Sequence, residues 1–222
     1  MHREAVLVSL ASALVLTSPG TVLSAQNIPK KEAQIELAGY ADCVVSRKSF
    51  RKNVDIFLRT VPDSATFYPA SMKAADMTCL NGAAMKRHAG QLEMRLQPGT
   101  FRDALYPALY RRDFGRTGPP AAIATLAPLD FATEFEGGSA TLSPDYRYGR
   151  GFGDCVARKS PQASHALLMS EPYVAAEDVA VEALKPSLAL CLPAGNTVKI
   201  GRASLRAYLG EAMYKLAVAA RT

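Results

Sequence analysis

The residues best equipped for unusual chemistry are the four cysteines, Cys43, Cys79, Cys155 and Cys191. Thiols ligate metals, exchange electrons or form structural disulfides, and spacing separates these roles. Zinc sites draw ligands from close pairs such as C-x-x-C, and thiol redox centres use the same pair. The sequence has none. Beyond the N-terminal segment the histidines are His88 and His165, at non-equivalent places relative to the cysteines. Instead, Cys43 and Cys79 are separated by 36 positions, and so are Cys155 and Cys191. That equality points to structural bridges, and neither a metal nor a cofactor is assigned.

Other constellations are weaker. Ser49-Phe50-Arg51-Lys52 fits the S-x-x-K pattern of serine acyl-enzymes, but the companion S-D-N and K-T-G elements are absent. No G-x-S-x-G, phosphate-cradling glycine loop or H-E-x-x-H occurs. "GRGFG" (Gly149–Gly153) follows no strand and reads as a turn. No catalytic residue is assigned, and the balance leans away from an enzyme. Arg47, Lys48, Arg51 and Lys52 would share an arc of about 140° on one helix. Such a face could dock an anionic lipid or polymer, although charge runs are more often a solvated helix face. Arg102 with Tyr110, and Arg206 with Tyr214, repeat one spacing on two helices. They could line a ligand groove. The favoured reading is structural: Arg102 pairs with Asp42, Arg206 pairs with Asp154, and the tyrosines pack between two copies of a repeat, because a buried arginine needs a carboxylate.

The elements that position these residues are written twice. Gly39, Tyr40, Asp42, Cys43 and Val44 are matched at a constant offset by Gly151, Phe152, Asp154, Cys155 and Val156. The offset holds at Lys73/Lys185, Cys79/Cys191 and Leu80/Leu192. A shorter one aligns "TFRDALYPALYR" (Thr100–Arg111) with "SLRAYLGEAMYK" (Ser204–Lys215). An ordered series of this kind indicates duplication. Four cysteines allow three pairings. Duplication favours Cys43–Cys79 and Cys155–Cys191, each closing the open end of a helical hairpin.

Periodicity predicts a helix over Glu32–Thr60, stopped by Pro62, and a weaker one over Ala65–Leu80 with Gly82 as its stop. Thr100 and Ser204 align as N-caps of the third helices. Leu205, Leu209, Ala212, Met213 and Leu216 form a core-facing stripe. Gln91–Leu96 and Asn196–Ile200 alternate like short strands and could pair across the copies. The expected architecture is therefore mainly all-α: two tandem disulfide-stapled three-helix repeats (26–114 and 149–222). They are joined by a Pro- and Gly-rich connection (115–148) whose Ile123, Leu126, Leu129, Phe131 and Phe135 suggest that it packs along a surface.

The first residues point to export. A short polar start carrying Arg3 precedes the apolar run Ala5–Leu16, which Pro19 and Gly20 break before small residues. This matches a signal peptide (1–25) cleaved near Ser24 or Ala25, since a bilayer span needs roughly 20 apolar residues. No later stretch is long and apolar enough to span. The expected location is periplasmic or secreted, where disulfides persist. The formal charge of +6 favours anionic surfaces, so the partner expected is an anionic envelope component or another envelope protein, with no specific nucleic acid.

The second copy, "DCVARKSPQASHALLMSEP…LKPSLALCLPAG…SLRAYLGEAMYKL", resembles a group of uncharacterised exported bacterial proteins with a D/E-C-V…C-L-P-A-G…L-R-x-x-L-A-E-A-L-Y pattern, often present twice. The first copy departs from it, with "CLNGAA" in place of "CLPAG". The resemblance supports the duplication and implies no mechanism. The function expected is a non-enzymatic binding or structural role in the periplasm or envelope. The alternative is a hydrolase-like enzyme with its site in a cleft between the copies.

Overall fold

A computed structural model of the chain describes residues 29–86, 97–130, 134–135, 142–193 and 199–221, with side chains 83–86 left aside. The expected signal peptide, His88, Phe131, Gln91–Leu96 and 196–198 lie outside the described residues. The pairing of two short strands therefore falls almost wholly outside them, and the described residues contain no strand.

The regular structure among the described residues is all helical, joined by turns and loops. The first half contains α1 (Lys30–Ser46), a 3-10 turn (Lys48–Phe50), α2 (Arg51–Arg59), α3 (Phe67–Ala74), α4 (Met77–Lys86) and α5 (Pro98–Phe114). The second contains α6 (Pro144–Lys159), α7 (Pro161–Met169), α8 (Ala175–Cys191) and α9 (Arg202–Ala219).

Both long helices expected in the first half are divided. The Glu32–Thr60 helix breaks at Arg47, whose extended backbone ends α1 and whose Nε reaches Asp76 at 3.2 Å. The Ala65–Leu80 helix breaks before Asp76, which is buried and accepts the Thr78 amide at 2.8 Å. Its side chain thus satisfies an unpaired donor at the start of α4, as capping aspartates do. Periodicity alone missed both breaks because the apolar pattern continues across them. In the second half, Pro161 opens α7 directly after α6, where a missing amide proton costs nothing.

Other local expectations need correction. Gly82 lies within α4 and does not end it. Thr100 and Ser204 lie inside the first turns of α5 and α9, which start at Pro98 and Arg202. "GRGFG" is helical. Ser143 caps α6 by accepting the Tyr146 amide, and Pro144 occupies the first position, so the second half begins within the expected connection.

Steric room explains why a helix keeps these glycines. A Cβ at Gly153 would sit 2.5 Å from the Tyr208 carbonyl oxygen, and one at Gly149 would sit 2.5 Å from the Tyr208 ring. A Cβ at Gly210 would sit 2.5 Å from the Pro107 ring. These glycines let α6 and α5 approach α9 closely. Gly151 meets nothing within 4 Å. Gly151→Ala is therefore expected to stabilise by up to about 1 kcal/mol through helix propensity. Gly153→Ala is expected to destabilise by about 1–3 kcal/mol through overpacking against backbone. Urea denaturation of the two variants checks the opposite signs; a gain in both would refute the close-packing account.

Each half has a core. Tyr40, Val44, Phe57, Phe101 and Leu105 gather in the first. Phe152, Val156, Leu168 and Leu184 pack in the second with the expected α9 stripe, which is buried at all five positions. The halves join through α5 and α9, whose packing is the most extensive between any two elements. The connection packs as well: Ile123 is buried with Leu126 and Leu129 against the second core, while Phe135 joins Val61 and Leu142.

Both disulfides form as expected, Cys43–Cys79 between α1 and α4 and Cys155–Cys191 between α6 and α8. Each encloses a turn in which a proline precedes a residue of positive φ, Asp63 at 62° and Tyr173 at 63°. No helix among the described residues is long and apolar enough to cross a membrane.

Candidate anion-binding cleft

Helix α5 forms the floor of a cleft of about 1180 Å³ where the halves meet. One wall is the end of α1, the 3-10 turn and α2; the other is the end of α9 with Glu134 and Phe135. The break at Arg47 decides which charges line it. Lys48 of the 3-10 turn and Arg51, Lys52, Asp55 and Arg59 of α2 all border the cleft; on α2 the spacings of three and four residues put them on one face. Arg47, expected on the same face, is turned away onto Asp76. Across the cleft stand Lys215 and Arg221, with Arg112 on the floor.

Among the described residues, seven cationic side chains line this space against three carboxylates, Asp55, Asp113 and Glu134. Some of the charge is already paired. Arg59 meets Asp55 at 3.1 Å, Arg112 meets Asp113 at 2.6 Å, and Lys215 meets Glu134 at 2.6 Å. Arg221 lies 3.9 Å from the centre of the Phe114 ring. Lys48, Arg51 and Lys52 reach no carboxylate among the described residues and are exposed. The uncompensated charge is therefore concentrated on the α2 wall.

Beside the cleft lies a buried ionic cluster that spans the halves. Arg102 of α5 donates through both terminal nitrogens to Glu211 of α9, at 2.9 and 2.8 Å, and Arg102 is only 1% exposed. Arg150 approaches Glu211 at 3.1 Å and Glu134 at 2.6 Å. Lys215 donates to Glu211 at 2.6 Å, and the Tyr146 hydroxyl donates to it at 3.1 Å. Burial alone would raise the Glu211 carboxyl, but the charges of Arg102, Lys215 and Arg150 outweigh it and hold the group well below its ordinary value of 4.5. Burial and the Glu211 charge together push the Tyr146 phenol up. Burial lowers Arg102, yet the Glu211 charge leaves its pKa well above normal.

The expected Asp–Arg pairs do not form. Arg102 takes Glu211, while Asp42 accepts from Arg111 at 2.7 Å on the surface. Arg206 donates to Glu177 at 2.6 Å and to the Ser170 carbonyl at 2.7 Å, while Asp154 pairs with Arg158 one turn along α6. Burial alone would raise Glu177, but the bonds from Arg206, the Tyr173 amide and Arg202 bring it below its ordinary value. The aligned arginines use unaligned partners. At the offset relating Arg102 to Arg206, Glu211 is matched by Pro107; at the offset relating the cysteines, Glu177 is matched by Ala65. Symmetry of sequence located the arginines and could not locate their carboxylates.

The tyrosines do lie between the halves. Tyr110 is buried, stacks on Phe114 and shares a 2.9 Å hydrogen bond with His165 of α7. Tyr214 packs against Tyr106 and Phe114 of α5 and borders the cleft. Burial raises the Tyr110 phenol and lowers His165. Ser49 is exposed in the 3-10 turn and does not line the cleft. Among the described residues no three His, Cys, Asp or Glu side chains gather as a metal site.

Compared with protein-family models, curated proteins and solved structures, the chain matches none.

Proposed function

We propose that this chain is an exported binding protein of the periplasm or cell envelope, made of two tandem repeats of three helical arms (α1–α2, α3–α4 and α5; α6–α7, α8 and α9), that takes an anionic ligand in the cleft between them. The carrying observation is the wall of Lys48, Arg51 and Lys52, three cations that meet no carboxylate among the described residues and face Lys215 and Arg112 across an open space. Concave sites with one sign of charge focus the field and draw in counter-ions. The paired disulfides of equal span and the two matching proline turns support the duplication. The disulfides also suit an oxidising compartment, and the residues before position 26 suit a signal peptide.

The enzyme reading has less support. Catalytic sites gather groups of strongly shifted ionisation around a cavity. Here Glu211, held well below its ordinary value, is neutralised by Arg102, Arg150 and Lys215, and neither it nor Asp103, whose carboxyl burial raises to about 6, borders the cleft.

Citrate, a compact trianion, tests the binding reading. It is expected to raise the melting temperature of the oxidised protein through mass action. The triple variant Lys48→Glu, Arg51→Glu, Lys52→Glu is expected to lose at least about tenfold in citrate affinity, the equivalent of about 1.4 kcal/mol. An equal thermal shift in both proteins would remove the cleft as the binding site.

A further inference from the structure

We propose that the ligand of this cleft is a stretch of acidic polysaccharide, a linear chain of carboxylate-bearing sugars laid along the Lys48–Arg51–Lys52 wall and facing Lys215 and Arg112. The proposal rests on the anion-binding reading above and narrows it to a ligand class.

Three observations lead there. The first is shape. Lys48 of the 3-10 turn and Arg51, Lys52 and Arg59 of α2 border the cleft, a row roughly 17 Å long at the helical rise per residue. The cleft volume of about 1180 Å³ exceeds the roughly 300–1,000 Å³ usual for small-molecule sites. A small anion would meet one or two of these cations; an extended chain of charges meets the row.

The second is the state of the apolar lining. Val45, Val54, Leu58 and Leu109 border the cleft but are all buried. They offer no socket for the side-chain anchors by which peptides dock. Tyr106 and Phe135 are likewise buried, and Tyr214 is held against Phe114 and Tyr106. Single-stranded nucleic acid needs exposed aromatic faces on which bases stack, and these rings are already engaged. What the cleft presents is charge and hydrogen-bonding capacity, which suits a ligand made of carboxylates and hydroxyls.

The third is concavity. Arg112 and Lys215 are only partly exposed at the bottom and far side, where a flat lipid surface cannot reach them. The large exposed apolar side chains, Ile56 of α2 and Val218 of α9 among them with Tyr68, Met77 and Leu190, lie outside the cleft lining. A membrane-docking face would combine the two.

Calorimetric titration of the oxidised mature protein tests the proposal with four probes: decagalacturonate, galacturonate, an oligothymidylate of equal charge and phosphatidylglycerol vesicles. Decagalacturonate is expected to bind at least about tenfold tighter per sugar than the monomer. Its affinity should fall steeply with salt, as for polyelectrolytes that shed counter-ions. The triple charge-reversal variant is expected to lose at least about tenfold of that affinity. Lys185→Glu, on the exposed face of α8 away from the cleft, is expected to lose none. Equal loss in both variants, monomer binding as tightly per sugar as the chain, or oligothymidylate or vesicles binding as tightly as decagalacturonate would each overturn the polysaccharide assignment. Failure of all four probes and of citrate would overturn the anion-binding reading itself. The substituted side chains are exposed, so the fold of each variant is checked by circular dichroism before titration.

Discussion

Glu211→Gln is expected to cost about 3–5 kcal/mol of stability, because it leaves a buried arginine without its counter-charge. Arg102 is almost wholly buried and directs both terminal nitrogens at this one carboxylate. Arg150 and Lys215 converge on it from other elements. Gln keeps the shape and loses the charge, so the three cations would repel one another, with Glu134 and Asp103 left as nearby carboxylates to offset them in part. Urea denaturation measures the loss. Asp42→Asn is the comparison, since it breaks the surface pair with Arg111, whose partner Asp42 is 47% exposed. An exposed pair is worth about 0–1 kcal/mol. Similar losses from the two substitutions would contradict the special role of the buried cluster.

The same residue sets a pH dependence. Glu211 is held well below 4.5 in the folded protein, so in acid the unfolded chain takes up its proton first. The stabilisation is fully present above the ordinary glutamate value and drains away as pH falls below it towards the depressed folded value. Glu177, also lowered, adds a contribution of the same sign. In Glu211→Gln the acid-side slope of stability should be shallower than in the wild type. An unchanged slope would show that Glu211 titrates alike in both states.

The second large effect belongs to the disulfides. Replacing Cys155 and Cys191 together by Ser is expected to cost about 2–4 kcal/mol, since the bridge closes a long loop in the unfolded chain. The loop spans 36 residues and contains α7 and the turn at Tyr173. The Cys43/Cys79 double variant should lose a comparable amount, because its loop has the same length. Thermal denaturation of the two variants, each under oxidising conditions, checks both. A loss below about 1 kcal/mol in either would show that residual structure already confines that loop when unfolded.

The disulfide pairing was legible because it depends on spacing: of the three possible pairings, one closes each copy of the duplicated pattern on itself, with the same separation of 36 in both. The α9 stripe was legible for a similar reason: a helix must place Leu205, Leu209 and Leu216 on one side, and that side must be covered. Helix interruptions were less visible. The break at Arg47 has no proline or glycine to announce it, and the glycines of α6 look like a turn until Tyr208 is seen against them. The cleft was legible only as a basic run, because its floor and far wall come from residues distant in the chain.

What the sequence by itself determined is the helical periodicity, the repeated cysteine framework, a basic run of Arg47, Lys48, Arg51 and Lys52 from which the structure removes Arg47, and the presence of an arginine and a tyrosine on each of α5 and α9. All of these are properties of spacing along a chain whose helices have a fixed pitch. Only the tertiary structure decided that Arg102 meets Glu211 and not Asp42, that Arg206 meets Glu177 and not Asp154, and that the basic face borders a cleft. The physical reason is that a buried charge takes the carboxylate that packing brings within reach. Packing of α5 on α9 depends on the close approach at Gly210 and Pro107, and no local pattern encodes which side chains that approach brings together.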